Sequence, residues 1–141
     1  MTIWKTPLTP EEINHKLENT MDGWIGVRYT EVGNDYVKGE MEVDHRTMQP
    51  FGIMHGGASC VLAESIGSIA GNMCVDEKTH YCVGQSIHTN HISKAPLGTK
   101  LIGIAKSIHL GKTSQLWEVT IENLSGKLIS ITRLQLAVMS R

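Results

Sequence analysis

At 141 residues the chain has the length of one domain, enough to bury a core without disulfide or metal staples. Apolar residues at 40% against 19% charged exclude a disordered chain, and no apolar run approaches the roughly 20 residues of a membrane span. A formal net charge of −1, with both signs interspersed, excludes a general nucleic-acid binder, which needs a basic face.

The opening Met1-Thr2-Ile3-Trp4-Lys5 has no apolar core and no small-residue cleavage site, so no secretory leader is read and a cytoplasmic protein is expected. Thr9-Pro10-Glu11-Glu12 predicts a helix over 9–16, with Thr9 as N-cap, Pro10 in the first helical position and Glu12 closing a capping box. Period two then takes over. Ile25, Val27 and Tyr29 alternate with Gly26, Arg28 and Thr30, Gly33-Asn34-Asp35 marks a turn, and Val37, Gly39, Met41 and Val43 alternate with Lys38, Glu40 and Glu42. That predicts a hairpin with one wet face. The pattern breaks over 44–57 into a loop that holds Gln49-Pro50-Phe51-Gly52 and His55-Gly56-Gly57. From 58 to 73 the period is helical, with Val61, Leu62, Ile66, Ile69, Ala70 and Met73 on one apolar stripe.

Strands are predicted over 81–92, 101–110, 114–123 and 128–139, broken at Pro96-Leu97-Gly98, Gly111-Lys112 and Ser125-Gly126. About six strands in an antiparallel meander and one long apolar helix bury each other if the sheet curves around the helix, an α+β architecture. The sheet edges left over invite pairing between subunits. Cys60, Cys74 and Cys82 are odd in number and lack CxxC spacing. Reduced thiols are expected, with Cys60 and Cys82 buried as small hydrophobes.

The long helix has a second face, where Cys60, Glu64, Gly67, Ser68 and Gly71 recur at helical spacing and only Glu64 is large. A helical Glu ordinarily faces solvent or caps a neighbouring backbone. Set among small residues, it borders a groove for another helix, another subunit or a ligand, and its carboxylate becomes a candidate for chemistry. His55-Gly56-Gly57 at the helix entrance offers free N–H groups and the positive end of the helix dipole to a developing oxyanion. At about 1.5 Å per residue, Gly56 and Glu64 stand roughly 12 Å apart on one helix, too far to act on one carbonyl. A site shared by two subunits removes that difficulty.

Taken together, Gln49-Pro50-Phe51-Gly52, His55-Gly56-Gly57-Ala58 and Leu62-Ala63-Glu64-Ser65-Ile66-Gly67-Ser68 closely resemble the hotdog-fold acyl-CoA thioesterases. The nearest branch is that of the aryl- and acyl-CoA hydrolases, which includes dihydroxynaphthoyl-CoA and enterobactin-proofreading thioesterases. Ile3-Trp4-Lys5, Val83-Gly84, Asn90-His91, His109-Leu110-Gly111 and Trp117 extend the resemblance over nearly the whole chain. It implies one hotdog domain over 1–141, a curved antiparallel sheet of about six strands wrapped around one central helix. It implies Glu64 as nucleophile or general base, Gly56 N–H as donor to the thioester carbonyl with His55 assisting, and Gln49 and Ser68 orienting the thioester or the attacking water. His91 matches a position near the acyl pocket, to which Phe51, Met54 and Cys82 are expected to add. Lys112 and Thr113 follow Gly111 in a turn that either holds a CoA phosphate or is only a hairpin corner. The implied substrate is an aryl- or medium-chain acyl-CoA, with no cofactor beyond the CoA it carries. The implied assembly is a homodimer, pairing further into a dimer of dimers, with each site built from both subunits and with neither nucleic acid nor membrane as partner.

Other chemistries find less support. His88 and His91 are three apart on a strand and point to opposite faces, so with His80 they make no metal site. There is no G-x-S-x-G elbow and no Walker or Rossmann glycine pattern. Two rivals stay open: a hotdog dehydratase, whose loop this one does not resemble, and a noncatalytic acyl-CoA-binding module, which has no use for a costly carboxylate at Glu64.

Overall fold

The computed structural model describes residues 1–141. Thr9 caps α1 (Pro10–Leu17): its Oγ1 accepts from Glu12 N–H at 3.2 Å while its own N–H donates to Glu12 Oε2 at 2.8 Å, completing the capping box. A short helix, α2 (Met21–Trp24), follows where the sequence showed no element. The alternation read from Ile25 starts too early. Gly26 sits at φ +81°, off the strand conformation, with the Arg46 guanidinium packed where a side chain would stand, and β1 (Arg28–Val32) begins only beyond it. The chain then turns at Gly33 into β2 (Tyr36–Glu42), as the turn residues require.

After the loop come α3 (Gly56–Met73), β3 (His80–His91), β4 (Lys100–Leu110), β5 (Ser114–Asn123) and β6 (Leu128–Ser140). These last four strands lie within a residue of their predicted spans, because long period-two runs between Gly and Pro breaks leave little freedom. Their order does not follow the chain. The sheet runs β1-β2-β4-β5-β6-β3, antiparallel throughout, so only β4 to β6 form the expected meander. The chain leaves β2, crosses the curved sheet along α3 and re-enters as β3 at the far edge.

The core lies between α3 and the sheet. Leu62, Ile66 and Ala70 are fully buried against residues such as Val119, Ile121 and Leu134. Gly67 and Gly71 belong to this contact and not to a groove beside Glu64. A Cβ on Gly67 would stand 2.6 Å from Leu134 Cδ2, and one on Gly71 only 2.2 Å from Leu136 Cδ1. Their smallness lets the helix approach β6. Cys82 is buried beneath α3 with its thiol toward Gly71 O, and burial pushes it up to about 11 and Cys74 to about 12, so both stay protonated. All three cysteines are free, and Cys60 is half-buried, not enclosed as its sequence context suggested.

Candidate active site

The entrance to α3 is built by its cap. His55 takes an extended conformation and its Nδ1 accepts from Gly57 N–H at 2.8 Å, so the helix begins at Gly56, two residues before the span the helical period predicted. Gly56 N–H, at the positive end of the helix, donates to nothing within the fold. The His91 ring packs directly on Gly56: a Cβ there would lie 2.9 Å from Nε2, so a larger residue would have to displace the ring. Ser59 joins them, donating to Gly56 O at 2.8 Å with its Oγ 3.4 Å from His91 Nδ1. Met54 and Ile53 complete a cavity of about 330 Å³ around Gly56 and His91.

From this end, α3 runs antiparallel along β3. Gly56 meets His91, Cys60 Sγ lies 3.4 Å from Thr89 Oγ1, Glu64 meets Gly84, and the Asn72 side chain bonds the backbone of Cys82 at 2.8 and 3.0 Å. Glu64 is half-buried, and a Cβ on Gly84 would stand 2.9 Å from its Oε1. A β-bulge between Gly84 and Ser86 re-aims the strand at this point. None of the chain's five ion pairs involves Glu64. Its carboxylate borders two adjoining cavities. One of about 270 Å³ is shared with Met21, Cys60, Val61 and Ile87; the other, of about 300 Å³, with Leu17, Ser68 and Ile69.

Glu64 and Ser68 are thus together, and His55, Gly56, His91 and Met54 are together, but neither Glu64 cavity reaches Gly56. The two groups sit about two helical turns apart, roughly 12 Å by the helical rise. Gln49 is half-exposed in the preceding loop, where its Oε1 accepts from Phe51 N–H, and the Phe51 ring is 89% exposed. Cys82, expected in the acyl pocket, lies instead beneath the helix. Lys112 and Thr113 occupy the exposed β4–β5 corner, where Thr113 O accepts from Val138 N–H and Lys112 faces Lys5, Thr79 and His80 across a separate cavity. No three His, Cys, Asp or Glu side chains converge as metal ligands.

One group in the site went unread in the sequence. α2 carries Asp22, only 9% exposed, to the border of both Glu64 cavities, where Ser65 Oγ donates to its Oδ1 at 2.6 Å. Burial raises its carboxyl above the usual value of 3.8, with hydrogen bonds from Ser65 and from the buried Tyr29 phenol opposing. A carboxyl whose pKa is higher folded than unfolded takes up protons on folding. It therefore favours the fold only while protonated, and this is lost as pH rises above 3.8 through the folded value. Asp22→Asn keeps an acceptor for Ser65 and removes the buried charge. It is expected to melt a few degrees higher than wild type at pH 7, the gain vanishing on acidification below the ordinary carboxylate range. Thermal denaturation followed across pH measures this.

Gly84 yields a second expectation. Gly84→Ala puts a methyl group within 2.9 Å of Glu64 Oε1 and must displace the carboxylate. Loss of kcat on the order of 10²-fold is expected if that carboxylate does chemistry, since such misplacement is costly. Steady-state kinetics alongside sedimentation, to show unchanged assembly, decides it.

The sequence profile of the thioesterase superfamily matches residues 51–130, which run from the loop through α3 into β6. The chain is 42% identical to 1,4-dihydroxy-2-naphthoyl-CoA hydrolase of Escherichia coli (strain K12), over 97% of this chain and 99% of that one. Among solved structures, a thioesterase of Pseudomonas aeruginosa, crystallised as a glutamine-to-alanine mutant, is similar with a TM-score of 0.96 at 36% identity. That match covers 99% of this chain and 100% of that one. A thioesterase of Haemophilus influenzae gives 0.95 at 39% identity, covering 99% and 96%.

Proposed function

The chain belongs to the thioesterase superfamily and is a thioester hydrolase of the hotdog fold, and from that premise we propose that it cleaves an aryl- or medium-chain acyl-CoA with Glu64 as the catalytic carboxylate. The observation that carries this is a half-buried, unpaired carboxylate held over Gly84, on the same helix as an unspent Gly56 N–H. The thioester carbonyl accepts from Gly56 N–H at the helix N-terminus, where the charge that develops on its oxygen is stabilised. Glu64 then acts in one of two ways. As nucleophile it adds to the carbonyl carbon and expels CoA thiolate, leaving an acyl anhydride that water hydrolyses. As base it takes a proton from water, whose oxygen forms the new C–O bond as the C–S bond breaks. Both routes give free acid and CoA, and neither needs a further cofactor. Ser68, which borders a Glu64 cavity, is assigned to orient the water or thioester. His55, with Nδ1 committed to Gly57 N–H, serves by fixing the helix entrance that aims Gly56 N–H. Gln49 is assigned to hold the loop before that entrance.

The separation between Gly56 and Glu64 supports a homodimeric site. β3 is the edge of the sheet, and it exposes Val83 and Ile87 (45% and 39%) on a bare strand. Twofold pairing of β3 with its copy continues the sheet and lays the partner's α3 antiparallel beside this one, bringing the Gly56 end of one chain to Glu64 of the other. A dimer of dimers is proposed as the full assembly. Lys112 with Lys5 is assigned to a CoA phosphate, resting on the two cations that share one cavity. No helix is long and apolar enough to cross a membrane.

Thiol release from a panel of aryl- and fatty-acyl-CoA thioesters tests the assignment. Turnover of at least one is expected, unchanged by chelator. Saturable binding without thiol release would favour the noncatalytic acyl-CoA module instead.

A further inference from the structure

We propose that Ser59 is a positioning residue that holds His91 with its ring proton on Nδ1, leaving Nε2 as a bare acceptor at Gly56 for the amide N–H of the thioester's cysteamine arm. The inference rests on Gly56 N–H receiving the thioester carbonyl. Ser59 is fully buried, and its one hydroxyl proton is committed to Gly56 O at 2.8 Å, so it offers the ring only lone pairs. His91 Nδ1, 3.4 Å from that oxygen, is then the donor, and in a neutral imidazole the other nitrogen is unprotonated. No second hydroxyl competes. Ser130 stands opposite His91 on β6, but its Oγ is buried and bonds nothing. His55 has the reverse arrangement: its Nδ1 accepts from Gly57 N–H, which puts its proton on Nε2.

The bare Nε2 of His91 is the atom packed on Gly56, at the wall of the cavity that Ser93 and Lys94 also border. A lone pair beside Gly56 N–H repels negative charge, so it cannot share in stabilising the oxyanion. It needs a donor of its own once substrate has displaced water from the cavity. An acyl-CoA carries such a donor close to its carbonyl, the amide N–H two carbons beyond the thioester sulfur. With the carbonyl on Gly56 N–H, that amide bonds to Nε2 and fixes the direction in which the arm leaves the site. A thioester lacking the N–H leaves Nε2 unpaired. A site with a buried polar partner rejects such an analogue more strongly than an apolar wall does.

Two measurements test this. Nitrogen NMR of the imidazole rings in isotope-labelled protein, at about pH 9 where an ordinary imidazole is neutral, reads the tautomers without any turnover. Spectra of His91→Gln and His55→Gln assign the two rings. His91 is expected to carry its proton on Nδ1 and His55 on Nε2, and Ser59→Ala should move the His91 proton toward Nε2. The second measurement compares kcat/KM for the benzoyl thioester of N-acetylcysteamine with its acetoxyethyl counterpart, in which an ester oxygen replaces the amide N–H. If either turns over too slowly, the same ratio is read from their inhibition constants against benzoyl-CoA. Wild type should favour the amide by roughly tenfold or more. Ser59→Ala should lower that preference, His91→Gln should keep part of it through its side-chain oxygen, and His91→Leu should lose it. The wild-type tautomer and the His91 variants carry the test if Ser59→Ala does not fold. A wild-type His91 protonated on Nε2, or a tautomer that Ser59→Ala leaves unmoved, overturns the inference alone. So does the absence of a preference for the amide, or an equal fall for both thioesters in the variants, which is the mark of a structural role. No turnover of any acyl-CoA by wild type overturns the assigned activity and the amide contact together.

Discussion

Glu64→Gln is expected to stay folded and to lose kcat by a factor on the order of 10²–10⁴, the range removed with one acid–base group. The amide has nearly the size and shape of the carboxylate, so it still fits over Gly84. What it loses is the lone-pair basicity needed to take a proton from water and the nucleophilicity needed to attack a thioester. Stability should change little, because Glu64 makes no ion pair whose loss would strand a charge. Glu64→Ala should be at least as inactive, and rapid-quench measurement of thiol release with a thermal melt on the same samples separates lost chemistry from lost structure. Near wild-type turnover in Glu64→Gln would move the catalytic role elsewhere in the site.

Much of this architecture was legible because it rests on local chemistry. Thr9 and Glu12 write a capping box that any chain would fold the same way, and β4 to β6 are long alternating runs between glycine breaks. α2 was not legible: four residues containing a glycine carry no period, and Asp22 became part of the site only through the packing of that turn against Ser65. The edge position of β3 was hidden as well, since strand order is decided by where α3 delivers the chain. Helical spacing placed Gly67 and Gly71 with Glu64, but a stripe that broad bends around the helix. The two glycines go to β6 while Glu64 and Ser68 stay at the rim. The pairing of Gly56 with His91 also had no local signal, because it joins residues 35 apart across the helix–strand contact. The distance argument between Gly56 and Glu64 needed only the helical rise, and it stands unaltered by the fold.

Mixing two inactive variants should restore activity. Glu64→Ala lacks the proposed catalytic carboxylate, while the double variant Gln49→Ala, His55→Ala lacks the proposed supports of the Gly56 N–H. Losing the His55 cap should also cost about 1 kcal/mol, so its folding must be verified by melting. If each site takes Gly56 from one chain and Glu64 from the other, a mixed dimer carries all three substitutions in one site and none in its second. After random exchange of equal amounts, half the dimers are mixed, and about a quarter of wild-type specific activity should return. Sites confined to one chain give the opposite result, because every site in the mixture then keeps at least one lesion. Fluorescence energy transfer between labelled subunits shows whether exchange has taken place. Proven exchange without recovered activity places Gly56 and Glu64 of the same chain in one site. The roughly 12 Å between them along α3 would then have to be spanned by the substrate or by movement of the helix entrance.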